Sequence, residues 1–376
     1  MTGSADSDRG RAGAAVASRG AVELLGRGVA ELEALAESLG EPRYRGRQVA
    51  RWLYGHGVDT VEAMTDLPRA FRDRLRAASQ ITYPRLRRAQ DAPDSSATKY
   101  LVELADGQRV ECVLMRFDDG RLSACLSSQA GCAMGCAFCA TGLGGFSRNL
   151  GPGEILGQAL VIRAQAGVRI GHVVFMGMGE PLANYDAVLR AARLLASPQG
   201  VGIGMRRLTI STVGLVPQIH RLAAERLQLT LAVSLHAPTD ALRDRLVPAN
   251  HRYPLADLIP ACRAYAAATR RRITFEYVLL AGVNDGPAEA RALAALLRGV
   301  HCHLNLIPVN PVAGIPFRRP EVPVVMAFAA RVRRAGFPVT VRIERGTEIQ
   351  AACGQLRLAD GQGRPSRWTP PPAVTP

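Results

Sequence analysis

Apolar positions along this 376-residue chain change rhythm three times, and each rhythm asks for a different kind of structure. Val29, Leu32, Leu35 and Leu39 recur at three-to-four spacing, which lines one face of a helix, and Gly40 and Pro42 then stop it. A second helix is expected over about 46–54, with Val49, Trp52 and Leu53 on one side, and a third over about 68–77. Between residues 81 and 129 the rhythm shortens to β-like runs broken at Asp106-Gly107 and Asp119-Gly120, the chemistry of tight turns between antiparallel strands. That stretch reads as a β-meander.

From there to about residue 345, strand-like runs at 172–176, 208–212, 229–235, 273–280, 303–309 and 339–343 alternate with helical patterns such as 154–166, 185–196, 255–269 and 288–297. Such alternation implies parallel strands with crossover helices, in a barrel or an open sheet. No fixed-period repeat accompanies it, which excludes a solenoid. Polar or glycine-rich residues follow the strand-like runs: Gly177-Met178-Gly179-Glu180-Pro181, Ser211-Thr212-Val213-Gly214, Ser234-Leu235-His236-Ala237 and Asn310-Pro311. Loops after parallel strands gather at one face, where barrels place their chemistry. An α/β fold built on a partial (β/α)6 barrel is therefore expected. The expected organisation is a disordered tail over 1–28, a helical accessory domain over 29–80, a β-rich connection over 81–117 carrying Glu111, the barrel over 118–350, and a segment over 351–376 with Cys353 and a disordered tail.

Composition narrows the class. Hydrophobic residues make up 48% of the chain, ordinary for a globular protein. No apolar run reaches the ~18 residues of a membrane span, and the first twenty residues lack a signal-peptide centre, so a cytoplasmic protein without a membrane partner is expected. The net charge is +15 and the pI about 10.2, a field that favours a polyanion such as nucleic acid. Lys99 is the single lysine, so arginine carries the rest of the positive charge. Arg43, Arg45, Arg47 and Arg51 crowd the second predicted helix, which makes the accessory domain the expected RNA-docking element. Eight cysteines in such a chain argue for metal or redox chemistry rather than a disulfide framework.

Three of those cysteines, Cys132, Cys136 and Cys139, stand at C-x3-C-x2-C spacing among small residues. Three close thiolates can hold three irons of a [4Fe-4S] cluster and leave the fourth open, unlike ferredoxin-type carriers with four Cys ligands. Zinc would want a fourth Cys or His at short spacing, and none is nearby; buried unliganded cysteines are the other alternative. Within the Gly177–Pro181 run, Gly179 and its partner are small enough for close ligand approach, and Glu180 can accept from an ammonium. Ser211, Ser234, Leu235, His236 and Asn310 offer contacts to a carboxylate, ribose or base edge. The His301-Cys302-His303 triplet alternates faces and is not a metal site, and Cys262 and Cys302 read as core or surface residues.

The cysteine loop resembles the signature of radical S-adenosylmethionine (SAM) enzymes. Together with Cys125-Leu126-Ser127-Ser128-Gln129, Phe146-Ser147-Arg148-Asn149-Leu150, the Gly-Met-Gly-Glu-Pro run, Ser234-Leu235-His236-Ala237-Pro238 and Ala351-Ala352-Cys353-Gly354-Gln355-Leu356, it is similar to the ribosomal-RNA adenine-C2 methyltransferase (RlmN) family, whose sister is the C8-methylating Cfr branch. The resemblance runs from about Gly40 to Leu356. It implies one [4Fe-4S] cluster per chain held by Cys132, Cys136 and Cys139, and two SAM molecules per turnover. It implies methyl loading onto Cys353, proton removal by Glu111, and resolution of an RNA–protein adduct by Cys125, leaving a Cys125–Cys353 disulfide. The implied partners are 23S ribosomal RNA, with transfer RNA as a further candidate, an electron donor of flavodoxin type, and a disulfide reductant. Cys112, beside Glu111, is the alternative resolving thiol, although strand alternation points it to the opposite face. The rival functions are C8 methylation and a non-catalytic iron–sulfur RNA-binding protein.

Overall fold

The computed structural model describes residues 20–342 and 345–356. The expected tails over 1–19 and 357–376, and the end of the strand expected to reach residue 343, lie outside the described residues.

The chain opens with β1 (Val22–Glu23), followed by α1 (Val29–Ser38) and α2 (Tyr44–Ala50), which runs on as a π-helical turn over Arg51–His56. Next come α3 (Arg69–Ala78) and β2 (Ser79–Gln80), which pairs in parallel with β1. Residues 20–28, expected in the tail, are a correction: Leu24 and Leu25 are buried, and the Tyr54 hydroxyl donates to the Arg27 carbonyl at 2.6 Å. An apolar pair beside a two-residue parallel ladder is enough to seat this segment. The charge expectation is also corrected. Residues 29–80 hold eight arginines against eight acidic residues, and they neutralise one another in place. Arg43 and Arg47 both reach Glu33, Arg74 reaches Glu41, Arg51 reaches Asp66 and Arg76 reaches Glu62. The positive excess lies instead in residues 118–350, with twenty-six arginines against fifteen acidic residues.

The meander comprises β3 (Arg85–Asp91), β4 (Ala97–Glu103), β5 (Arg109–Arg116) and β6 (Leu122–Cys125), antiparallel in sequence order. β7 (Gln129–Gly131), α4 (Ala140–Leu143) and β8 (Phe146–Asn149) then frame the cysteine loop. The barrel continues with α5 (Pro152–Ala166), β9 (His172–Phe175), α6 (Tyr185–Ala196), β10 (Leu208–Thr212), α7 (Val216–Ala224) and β11 (Thr230–Ser234). It closes its element list with α8 (Asp240–Leu246), α9 (Leu255–Thr269), β12 (Ile273–Leu279), α10 (Pro287–Leu296), β13 (Cys302–Pro308), α11 (Val322–Arg334) and β14 (Val339–Val341).

β6 and β9 to β13 are the six parallel strands of a partial barrel, with β14 as a short seventh at its edge. The meander is not a separate connection. β6 pairs antiparallel with β5 and parallel with β9, so one ten-stranded sheet runs from β3 to β14. Helices cover its outer face, where Phe175, Phe275 and Phe328 are buried and Tyr277 stacks on Phe328.

Ladder partners share a face, and alternate residues of a strand return to it. Lys99 stands opposite Val113, Val113 opposite Cys125, Cys125 opposite Val174 and Val174 opposite Thr209. Further along, Ser234 opposes Glu276 and Glu276 opposes Asn305. One inner face therefore carries Lys99, Glu111, Cys125, Ser211, Ser234, Glu276 and Asn305. Cys112, opposite Tyr100, falls on the other side.

The amino-terminal segment meets α5 backbone to backbone. A Cβ on Gly26 would stand 2.4 Å from the Gly153 nitrogen, and one on Gly153 would stand 2.4 Å from the Leu25 carbonyl oxygen. Gly153→Ala should therefore push the accessory module off the barrel, lowering stability by about 1–3 kcal/mol in thermal or denaturant unfolding; Gly40→Ala, which meets nothing within 4 Å but has φ +75, serves as a comparison in which only backbone strain acts.

Candidate active site

The cysteine loop leaves β7 through Gly131, whose φ of +83 brings the Cys132 N–H to the Gly145 carbonyl at 2.7 Å. Cys132, Cys136 and Cys139 are free thiols that line one cavity of about 160 Å³ with Phe138, Glu180 and His236. Burial pushes the Cys132 thiol up to about 12 and Cys136 well above its usual value, and the neighbouring thiols add to both. Such thiols hold their protons until a metal ion supplies positive charge. Among the described residues no group of three or more His, Cys, Asp or Glu converges as ligands of a single ion. Donors to a cluster must instead stand apart, one for each iron, and three separated thiols around one cavity suit that arrangement.

Buried amides fix the neighbouring turn. Gln158 on α5 clamps Ser127, accepting from its N–H at 2.8 Å and donating to its carbonyl at 2.9 Å. Gln129 accepts from the Glu180 N–H at 2.8 Å, and Asn184 donates to the Ser128 and Leu150 carbonyls. The glycines expected to admit a ligand have a different first duty. A Cβ on Gly177 would stand 2.7 Å from Ser127 Oγ, and Gly179, with φ +103, would place one 2.6 Å from Gln129 Cβ. They let β6 and its extension lie against this turn. Glu180 is buried; its oxygens accept from the Val213 and Leu182 N–H groups at 2.8 and 3.0 Å. Burial raises its carboxyl to about 7, against the lowering effect of those bonds.

The loops after β10 and β11 are tied from behind by a residue that composition does not single out. Arg243 on α8 is completely buried and donates to the carbonyls of Val213 at 2.5 Å, Ser234 at 3.1 Å and Leu235 at 3.1 Å, and to Asn250 Oδ1 at 2.8 Å. Ser211, Ser234 and His236 line the cavity, whereas Leu235 is buried and lines neither this cavity nor its neighbour. His236 has φ +59, a left-handed conformation that a non-glycine residue adopts at a cost of order 1 kcal/mol. Its Nδ1 accepts from the Val278 N–H at 3.0 Å, which leaves the ring proton on Nε2. Burial lowers its pKa to about 3, so the ring is neutral.

The segment 345–356 crosses the open seam between β14 and the meander. It is clipped on both sides: Ala140 N–H donates to the Gly354 carbonyl at 2.7 Å, Thr141 Oγ1 to the Leu356 carbonyl at 2.6 Å, and Gln355 Nε2 to the Pro311 carbonyl at 2.9 Å. Asn310 donates to the Cys353 carbonyl at 3.1 Å, while its own Oδ1 is buried with no partner. An orphaned acceptor on a cavity wall is what a missing polar ligand leaves behind. Cys353 lines the cysteine-loop cavity and also an adjoining cavity of about 310 Å³, which Cys125 lines as well. Met176, Ile307, Asn310 and Arg342 belong to both walls. Burial, then the Cys353 thiol, raises Cys125 to about 12, and Arg342 opposes them. Glu111 is buried on the same sheet face but lines neither cavity. Cys112 is fully buried, its thiol pushed up by burial, on the opposite face. Glu276, bonded to Asn305 at 2.9 Å and paired across the ladder with Ser234, and Arg342 also face the site; a carboxylate inside the strand-like run 273–280 was the available signal for Glu276.

Residues 126–294 match the model of the radical SAM superfamily, and residues 22–81 match that of the ribosomal RNA large subunit methyltransferase N-terminal domain. A protein of Moorella thermoacetica described as "probable dual-specificity RNA methyltransferase RlmN" is 52% identical over 90% of this chain and 98% of its own length. One of the same description from Thermosynechococcus vestitus is 50% identical over 89% of this chain and 98% of its own. The crystal structure of a radical SAM methyltransferase from Sphaerobacter thermophilus is 48% identical, with a TM-score of 0.85 over 89% of this chain and 99% of that one. No helix among the described residues is long and apolar enough to cross a membrane.

Arg243→Met should leave three loop carbonyls unpaired behind the cavity. A loss of about 3–5 kcal/mol in denaturant-derived unfolding free energy is expected.

Proposed function

The chain belongs to the RlmN family of radical SAM RNA methyltransferases, and we propose that within it this enzyme methylates C2 of adenine in 23S ribosomal RNA, and also in transfer RNA, through a methyl group carried on Cys353. The family implies SAM and a [4Fe-4S] cluster, and Cys132, Cys136 and Cys139 would hold that cluster, one per chain. When bound, the cluster supplies the electron that cleaves SAM to the 5′-deoxyadenosyl radical, which activates the methyl carried by Cys353 by removing one hydrogen. Glu180 and the orphaned Asn310 Oδ1 would meet the amino-acid part of SAM, with Gly179, Ser211, Ser234, the Leu235 backbone and the neutral His236 along the rest of the molecule.

C2 of adenine is an electron-poor carbon that does not attack a sulfonium methyl. A thiolate does, so Cys353 takes the methyl of a first SAM and releases S-adenosylhomocysteine. The activated carbon then joins adenine C2, giving a covalent RNA–protein adduct. Rearomatisation needs the C2 proton and one electron to leave; Glu111 would take the proton, and an external one-electron carrier of flavodoxin type, left oxidised by the initiating step, would take the electron. Cys125 thiolate next attacks the Cys353 sulfur, breaking the sulfur–carbon bond. The electron pair goes to the former methyl carbon, which picks up a proton. The product is 2-methyladenosine and a Cys125–Cys353 disulfide, to be reduced by an external dithiol; a flavodoxin-type donor would supply the initiating electron.

The observation that carries this reading is the cavity shared by Cys125 and Cys353, which adjoins the cysteine-loop cavity and has Asn310, Arg342 and Cys353 itself in common with its wall. Cys112 is on the far face of the sheet and lines neither cavity, which favours Cys125 as the resolving thiol.

Cys353→Ala should abolish RNA methylation, and Cys125→Ala should accumulate an RNA adduct visible as a gel shift. In a nucleoside digest the product should be 2-methyladenosine; 8-methyladenosine would place the enzyme in the C8 branch. Because burial holds the Cys125 thiol near 12, its thiolate fraction rises with pH throughout the neutral range. Decay of the pre-formed wild-type adduct should therefore accelerate by roughly tenfold per pH unit between about 7 and 9 in quench-flow measurements.

A further inference from the structure

Of the 47 lysine and arginine side chains of this protein, all but one are arginine. That one, Lys99, places Nζ 3.1 Å from Glu111 Oε1, with the two side chains only 13% and 6% exposed. Lys99 sits on β4 directly opposite Val113, whose partner on the other side is Cys125. Its Nζ also lies within 3.5 Å of the Gln350 carbonyl, on the strap that carries Cys353. The lysine thus touches the proposed proton acceptor and the strap of the proposed methyl carrier at once.

We propose that Lys99 is the positioning residue of the proton-removal step: its ammonium holds Glu111 ionised and oriented by one carboxylate oxygen, and ties that orientation to the seated strap. This rests on Glu111 being the group that takes the C2 proton. The choice of lysine has a physical reason. An ammonium is a compact charge that pairs with a single oxygen, whereas a guanidinium forks across a carboxylate and occupies both oxygens in parallel bonds. A carboxylate gripped in that way keeps its charge but loses the lone pair it would turn toward a proton. In a chain where arginine fills every other basic position, lysine stands where a bidentate grip would disable the partner.

The competing account is a structural cross-strand ion pair, for which arginine would serve as well as lysine. The test compares Lys99→Arg, Lys99→Met and Glu111→Gln in the reconstituted full-length enzyme. Methyl loading of Cys353 from SAM, followed by mass spectrometry, should be unchanged in all three, showing an intact fold and carrier. The rate at which deuterium is released from C2 of [2-2H]adenine RNA in a single turnover should fall at least tenfold in both lysine variants. In Lys99→Met the pH profile of release should also move upward, because a carboxylate without its cation holds a proton to higher pH. In Lys99→Arg the profile should stay in place while the rate drops. Addition of Glu111→Gln to either lysine variant should cause no further loss.

Release at the normal rate in Lys99→Arg would overturn the proposal in favour of the structural pair. Glu111→Gln stalling while Lys99→Met releases normally would likewise overturn it and leave the role of Glu111 standing. Normal release in Glu111→Gln would instead remove the reading on which the proposal rests. Should Lys99→Met fail to fold, the arginine variant alone decides.

Discussion

A side chain in a β-ladder shares its face with its partner across the strands, and this parity, carried through ten strands, is the constraint on which the site depends. Lys99, Cys125 and Asn305 are far apart in the chain, yet each step between them is a ladder pair or a move of two residues. A one-residue slip between β5 and β6 would turn Glu111 outward and Cys112 inward. The register is held where it matters most by Ser127, whose hydroxyl donates to the Glu111 carbonyl at 2.5 Å and accepts from the Met178 N–H at 2.8 Å. The meander and the barrel are therefore locked at the point where the two halves of the site meet.

Within that frame, the groups around the cavity are held by partners buried behind them. Arg243 spans three carbonyls of two loops, and Gln158 and Asn184 hold the chain that leads into the cysteine loop. Buried polar groups of this kind are costly unless fully paired, and pairing fixes loop geometry far better than apolar contact does. The left-handed His236 is an example of conformational cost borne locally: its ring and its carbonyl are both bonded, to Val278 and Asn284, which over-determine the bend.

Much of this was legible in the residues. The expected runs at 208–212, 185–196 and 255–269 match β10, α6 and α9 end to end, because period-two and period-3.6 patterns there are strong and bounded by turn residues. The three loop cysteines, Glu180, Ser211, Ser234, His236, Asn310 and Cys353 do gather around one cavity. What the residues did not disclose were partnerships across the fold. Arginine content could not show that the accessory module neutralises its own charge, since Glu33 and Arg47 meet only once α1 packs on α2. Nor could it show that Gly177 and Gly179 accommodate the protein's own backbone, that Leu25 anchors the entry of the chain, or that Arg243 is an interior strut.

The strap over the seam has a consequence for synthesis. It follows β14 in chain order, so the barrel strands and the cysteine loop leave the ribosome before the thiol at 353 does. A nascent or prematurely terminated chain would present the loop and the open cavity but no sulfur at the seam. The strap's carbonyls at 353, 354 and 356 are the acceptors for Asn310, Ala140 and Thr141, so a chain stopped short of it would leave those three donors unpaired beside the cavity.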